Sequence, residues 1–331
     1  MRRRALISLM GGATVIWPLA SRGQRPQPMP VIGFLSVEAS GPAQPIENAL
    51  LQGLGEAGYI EGRGVVVERR WAGGQYDKLP ALASDLVDRK VDVIVTGGGP
   101  AVARAAKNAT STVPIVFVTG SDPVEEGLVS SLARPGGNMT GVSILVVDLL
   151  PKRLDLLSEL VPEAKTVALL MNPNSPSRAN SVRVLREMDL LARSKGLQLN
   201  ILQASTEREV DSAFTSLAQS RAAALVVHTD AFFNSRSDQL VRLAAQHAIP
   251  AIYTWREFAT AGGLVSYGPS RASLYRLAGI YAGRILKGSK PEDLPVVQPS
   301  AFELVINLQT AKGLGLTIPR SILARADEVI E

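Results

Sequence analysis

Val91-Asp-Val-Ile-Val-Thr-Gly-Gly-Gly-Pro100, a helical span, and then Val113-Pro-Ile-Val-Phe-Val-Thr-Gly120 decide the fold, because the chain repeats the plan further on. Ala223-Ala-Leu-Val-Val-His-Thr-Asp230 is again followed by a helical span and by Ile249-Pro-Ala-Ile-Tyr-Thr-Trp255. Each unit is an apolar run ending in polar groups, a crossover, and a second apolar run opened by proline. Strands that are apolar along their whole length are covered on both faces, which means parallel sheets between layers of helix. In such sheets a ligand sits beyond the carboxyl ends of the strands, where these polar residues fall. Two units predict two lobes with a cleft between them.

Working outward, Val31 to Ser36 reads as a first strand, with a helix carrying Ile46, Leu50 and Leu54 and a second strand at Val65 to Glu68. Strict alternation of strand and helix is the mark of an α/β, doubly wound sheet. Pro135-Gly-Gly-Asn138 breaks the rhythm, and the first crossing between lobes is placed at about residue 143. Thr166 to Met171 opens the second sheet, Leu197 to Leu202 follows, and Val182, Leu185, Met188 and Leu191 are taken as one apolar helical stripe. Leu264 to Tyr267, set between glycines, reads as a strand returning to the first lobe, with helix 271–287 packing there. Val296 to Pro299 suggests a last crossing before a final strand at Glu303 to Leu308. The expected architecture is two doubly wound parallel-sheet lobes, 30–143 plus 268–295 and 144–267 plus 296–331, joined by a hinge of about three crossovers.

Composition agrees with two globular cores: 331 residues, 46% hydrophobic and 20% charged. The formal charge of +5 hints at nucleic acid, but Arg2, Arg3, Arg4 and Arg22 lie in the first 23 residues, which hold no acid, and without them the charge is +1. That balance provides no footprint for a phosphate backbone, so no nucleic-acid partner is expected. With no cysteine, disulfides, thiol catalysis and thiolate metal sites are excluded. The basic Met1 to Arg4, the short apolar run Ala5 to Ala20 and the small residues of Ser21-Arg22-Gly23 make residues 1–23 an export signal, cleaved near Gly23. Arg3-Arg4 leaves the general and the twin-arginine routes both open.

Enzyme signatures are thin. The glycines at 97, 98 and 99 are followed by Val102 where a dinucleotide fingerprint needs glycine, and there is no P-loop. The two histidines, His228 and His247, have neither a partnered nucleophile nor metal-ligand spacing, so no catalytic residue, metal or cofactor is expected. The acids at Asp122, Glu125 and Glu126 have helix capping as their ordinary use. A binding reading accounts for more of the same positions. Ser36, Thr96 to Pro100 (Thr96, Gly97, Gly98, Gly99, Pro100), Thr119, Ser121, Asp122, Asn172, Asn174, Ser175 and Asp230 all follow strands. The glycines let backbone N–H groups approach a carboxylate at a helix start; Asp122 and Asp230 suit an ammonium group, and Trp255 and Tyr267 offer aromatic walls. Ordinary packing, and for Asn172 to Pro176 plain turn chemistry, are the competing explanations.

These residues are set in a run of markers: Trp17-Pro-Leu-Ala20, Gly58-Tyr-Ile-Glu-Gly-Arg63, Arg70-Trp-Ala-Gly-Gly-Gln-Tyr-Asp77, Asp122-Pro-Val124, Arg134-Pro-Gly-Gly-Asn138, Asn172-Pro-Asn174, Gly262-Gly-Leu-Val-Ser-Tyr-Gly268 and Ile306-Asn-Leu-Gln-Thr-Ala311. Over essentially its whole length the chain resembles the periplasmic substrate-binding proteins of ABC transporters, in the tryptophan/tyrosine-binding-like family with the type I periplasmic binding protein fold. The resemblance implies two lobes closing on a small ligand, an amino acid or related carboxylate, and delivering it unchanged to an inner-membrane permease driven by a separate ATPase. It also implies a periplasmic monomer, with ligand contacts at Ser36, Thr96 to Pro100, Thr119 to Asp122, Asn172 to Ser175 and Asp230. Glu125-Glu126 and the triple glycine depart from the family pattern, and the glycines are expected to widen the site. The rival expectations are an enzyme using the same cleft and a sensory receptor.

Overall fold

The computed structural model describes residues 28–41, 44–175, 178–220 and 223–331; the expected export signal lies outside them. The first sheet is built from β1 (Val31–Ser36), α1 (Gln44–Glu56), β2 (Val66–Trp71), α2 (Leu79–Asp88), β3 (Val93–Gly97), α3 (Pro100–Ala109), β4 (Ile115–Thr119) and β5 (Met139–Ser143). Its strands are all parallel, in the order β2-β1-β3-β4-β5. Alternate side chains divide between its faces: Phe34, Val95 and Val116 join one core, and Leu35, Ile94 and Ile115 the other. The edge strand β2 carries charge instead, with Arg69 paired to Glu47 at 2.6 Å and Arg70 to Asp85 at 2.5 Å. A charged edge discourages further strand pairing.

The second sheet follows through α4 (Leu150–Leu160), β6 (Thr166–Met171), α5 (Arg178–Ser194), β7 (Gln198–Gln203), α6 (Glu207–Ser220), β8 (Ala224–Val227), α7 (Ala231–Asn234), α8 (Ser237–Gln246), β9 (Ala251–Tyr253), α9 (Arg256–Thr260) and β10 (Val265–Gly268). The chain then forms α10 (Arg271–Leu286) on the first lobe and returns for β11 (Glu303–Asn307), α11 (Leu308–Gly313), α12 (Arg320–Leu323) and β12 (Glu328–Ile330). The strand order is β12-β11-β10-β9-β8-β6-β7. The prolines sit where they were expected to help: Pro114 and Pro250 immediately precede β4 and β9, and their carbonyls accept from Ile94 and Leu225, each at 2.8 Å. Proline can accept in a ladder but not donate, so it suits a strand's opening.

Three segments form the waist: Ile144 to Leu149 after β5, Pro269 to Ser270 after β10, and the stretch around Val297, whose backbone bonds with Gly141 and Ser143 along the edge of β5. Leu264 to Tyr267 is not itself a crossing. It belongs to the second sheet, parallel to β9 and antiparallel to β11, and the chain turns back only after Gly268. A Cβ on Gly268 would lie 2.2 Å from the Thr254 carbonyl, so this strand is pressed to its neighbour up to its last residue. β11 runs antiparallel to β10 because it enters the sheet from the waist, where the carboxyl ends of the other strands lie. Arg153 of α4, 0% exposed, ties two crossings together by donating to the carbonyls of Tyr267 (2.9 Å) and Val146 (3.1 Å). Burial pulls its pKa down to about 9, which leaves it protonated at neutral pH.

The helical stripe of α5 holds at Leu185, Met188 and Leu191, which pack in or against the core of the second lobe, and departs from expectation at Val182. Val184, Met188 and Ala192 are buried, while Val182 is 56% exposed. Steps of three residues turn 300° each, so Val182 and Leu191 end roughly half a turn apart; steps of four hold one face. Among the described residues no helix is long and apolar enough to cross a membrane.

Candidate ligand-binding site

In each sheet the strand order reverses once, at β1/β3 in the first lobe and at β6/β8 in the second. At a reversal the flanking loops diverge and leave a crevice past the strand ends. The two crevices face each other and border a half-open cavity of about 80 Å³, lined from the first lobe by Glu38, Tyr76 and Gly98 to Pro100, and from the second by Ser175, Thr229 to Ala231 and Trp255. The lobes touch across it, with Arg271 of the first over the Trp255 ring of the second, and burial followed by the charges of Asp230 and Glu38 raises the pKa of Tyr76, so its hydroxyl stays neutral.

Three charged side chains meet here almost out of water. Glu38, at 1% exposure, accepts from Arg271 Nη2 at 2.6 Å through Oε1, and its Oε2 has no partner. Asp230 Oδ1 accepts from Asn172 Nδ2 and from the backbone N–H of Phe232, both at 2.9 Å, which makes it the cap of α7. The Arg271 guanidinium lies 5.4 Å from the Trp255 ring centre, and the indole N–H in turn donates to Asn234 Oδ1 at 3.1 Å. Burial alone would lower the Arg271 pKa; the Glu38 and Glu257 charges outweigh it and hold the guanidinium charged. A buried charge with a free carboxylate oxygen beside it invites a hydrogen-bond donor from the ligand.

Of the residues expected at the ligand, Gly98, Gly99, Pro100, Thr119, Ser175, Asp230 and Trp255 line the cavity. Ser36, Ser121 and Asn172 stand behind it and brace lining groups: Ser36 Oγ accepts from the Glu38 N–H at 3.2 Å, Ser121 Oγ bonds Thr119 Oγ1 at 3.1 Å, and Asn172 holds Asp230. Thr96 and Gly97 are buried within β3. Asp122 spends its carboxylate on the N–H groups of Val124 and Glu125, Asn174 is an exposed turn residue, and Tyr267 packs on Phe302. The glycine run does not widen the site as expected. A Cβ on Gly97 would meet the Tyr275 hydroxyl at 2.5 Å and one on Gly98 would meet Val37 at 2.5 Å, so those two positions admit the protein's own side chains. Gly99 alone faces open space, at φ 104°, a left-handed conformation that glycine adopts without strain. Glu126, the other departure, pairs with Arg104, away from the cavity.

The sequence reading missed Glu38, Tyr76, Arg271 and Tyr275. Glu38 is the first acid after an all-apolar strand, and Tyr76 stands in the Arg70 to Asp77 marker, so both left a signal. Arg271 left none beyond its place at the start of a helix.

This frame has known counterparts. Residues 34–330 match the family described as ABC transporter substrate binding protein. The chain belongs to that family. Among curated relatives of this substrate-binding protein is the "Tyrosine-binding protein" of Clostridioides difficile, 31% identical over 82% of this chain and 76% of that protein. Among solved structures, a conserved domain protein of Vibrio cholerae superposes with TM-score 0.81 at 28% identity, over 91% of this chain and all of that one. An ABC domain of Streptococcus pneumoniae in complex with L-Trp superposes with TM-score 0.79 at 28% identity, over 92% and 100%. A ligand-free, open substrate binding protein of Clostridium difficile, at 26% identity and 91% and 99% coverage, gives 0.64.

Proposed function

We propose that this substrate-binding protein captures a small amino-acid-like or carboxylated solute between its lobes and hands it, chemically unchanged, to the permease of an ABC importer. The observation that carries this reading is the cavity at two opposed reversal points, with acids supplied by both lobes and Arg271 of one lobe lying over Trp255 of the other. Asp230 and the free oxygen of Glu38 suit an ammonium group; Gly99 and the start of α3 suit a carboxylate. The two lobes would move about the waist, and the ligand would favour the closed form by its differential affinity for it. The export signal, processed near Gly23, would deliver a periplasmic monomer, by either route.

Turnover is disfavoured by the histidines. Neither nitrogen of His228 has a partner, and His247 stacks on Phe214 at 6.2 Å; neither lines the cavity. The test is thermal unfolding and calorimetry of the processed protein with free amino acids and small carboxylates, followed by mass spectrometry of the recovered ligand. A bound ligand at 100 times its Kd should stabilise the fold by about 2.7 kcal/mol and be recovered intact. Chemical conversion would overturn the reading.

A further inference from the structure

We propose that Arg271 is the residue that sets ligand size in this cavity, excluding aromatic side chains and reserving the site for small, non-aromatic amino acids; the inference rests on the solute-binding reading above. Without Arg271 the walls would suit a ring. Trp255, Tyr76 and Tyr275 stand around the cavity with Val118, Ile144 and Leu274, the aromatic and aliphatic share of a lining that also holds Thr119, Ser175, Thr229 and Asn234. The guanidinium occupies the place where a ligand ring would stack: it lies over the Trp255 indole at 5.4 Å and is anchored from behind by Glu38 at 2.6 Å. A planar cation over an indole face, desolvated and salt-bridged, is an attractive contact that an incoming ring must displace.

Volume points the same way. The cavity holds about 80 Å³, roughly half of the ~150 Å³ cavity that takes up a benzene ring. A phenol or indole carrying its own amino-acid head would have to part the lobes or expel Arg271 from between Glu38 and Trp255. Expelling it leaves Glu38, already with one unpartnered oxygen, as a buried acid without its counter-ion. A small amino acid needs neither change. Its ammonium meets Asp230, which lines the cavity, while the Arg271–Trp255 contact stays in place.

The experiment compares processed wild-type protein with Arg271→Ala, titrating glycine, L-alanine, L-serine, L-asparagine, L-tyrosine and L-tryptophan by calorimetry. Wild type should bind at least one of the four small amino acids ten or more times tighter than tyrosine or tryptophan. Arg271→Ala should shift that ratio at least tenfold toward the aromatic pair. Since Arg271→Ala strands Glu38, the double variant Glu38→Gln/Arg271→Ala, which removes both charges, is measured alongside, with circular dichroism as the check of folding; the same shift is expected. Wild type binding tyrosine or tryptophan as tightly as any small amino acid overturns the proposal, whether or not either variant folds. So does an unchanged ranking in a folded variant. If wild type binds none of the six, the amino-acid reading of the site fails first, and this inference with it.

Discussion

Asp230 has two duties, and they separate by substitution. Its Oδ1 caps the short helix α7 and holds Asn172, a structural role that any side-chain carbonyl oxygen can fill, while its negative charge serves the cavity. Asp230→Ala would confound the two, because loss of a helix cap costs about 1 kcal/mol by itself. Asp230→Asn keeps an acceptor and removes the charge. Its melting temperature should stay near wild type, and calorimetry should show an ammonium-bearing ligand weakened by about 1.5–3 kcal/mol, the worth of a hydrogen bond to a charged group. Unchanged affinity would remove Asp230 from ligand recognition. The sequence marked this residue because it follows a buried strand; that Tyr76 lines the cavity across from it became visible only when the loop at 72–76 was placed against the second lobe.

At the scale of elements, the contact of α1 with α10 explains why a helix from late in the chain belongs to the first lobe. A Cβ on Gly53 would fall 1.9 Å from the Arg276 carbonyl, and one on Gly279 would fall 2.2 Å from the Leu50 carbonyl, so the two backbones touch where both residues lack side chains. The apolar row Ile46, Leu50 and Leu54 was legible as a buried face. The glycines on it were not, since glycine in a helix carries a propensity penalty and no hydrophobic signal. Gly279→Ala should therefore destabilise the fold by about 1–3 kcal/mol, against the slight gain that alanine brings to an open helix site. Urea denaturation measures it, and a stabilised variant would mean that the helices part easily. Because Arg271 opens this same helix, the α1–α10 contact also fixes where the guanidinium enters the cavity.

For the whole molecule, the waist is where stability meets pH. His228, just past the end of β8, is buried, and its pKa falls to about 4, chiefly through burial, with Asp230 opposing and Arg153 assisting. An unfolded histidine titrates near 6.5. Between about pH 6.5 and 4 the unfolded chain therefore binds a proton that the folded chain refuses, so stability is full above that window and declines as pH falls through it. The loss should approach roughly 3 kcal/mol below pH 4. His228→Leu should flatten the curve of melting temperature against pH in that interval; an unchanged slope would place the acid sensitivity elsewhere.

The sequence by itself determined the two sheets and the parallel run of all their strands but β11 and β12, because a short unbroken apolar run bounded by turn residues suits a strand covered on both faces, and that pattern is local. It also determined that polar groups gather at the carboxyl ends, which follows from parallel strands alone. What only the tertiary structure decided is which polar groups meet. Glu38, Tyr76 and Arg271 are separated by tens to hundreds of residues and come together only when α10 packs back on the first lobe, Asp230 and Trp255 meet them only across the cleft, and the glycines at 97 and 98 turn out to accommodate Tyr275 and Val37 because α10 docks on that face. Pairings across a cleft depend on the sum of all the packing between the partners, and no window of sequence contains that sum.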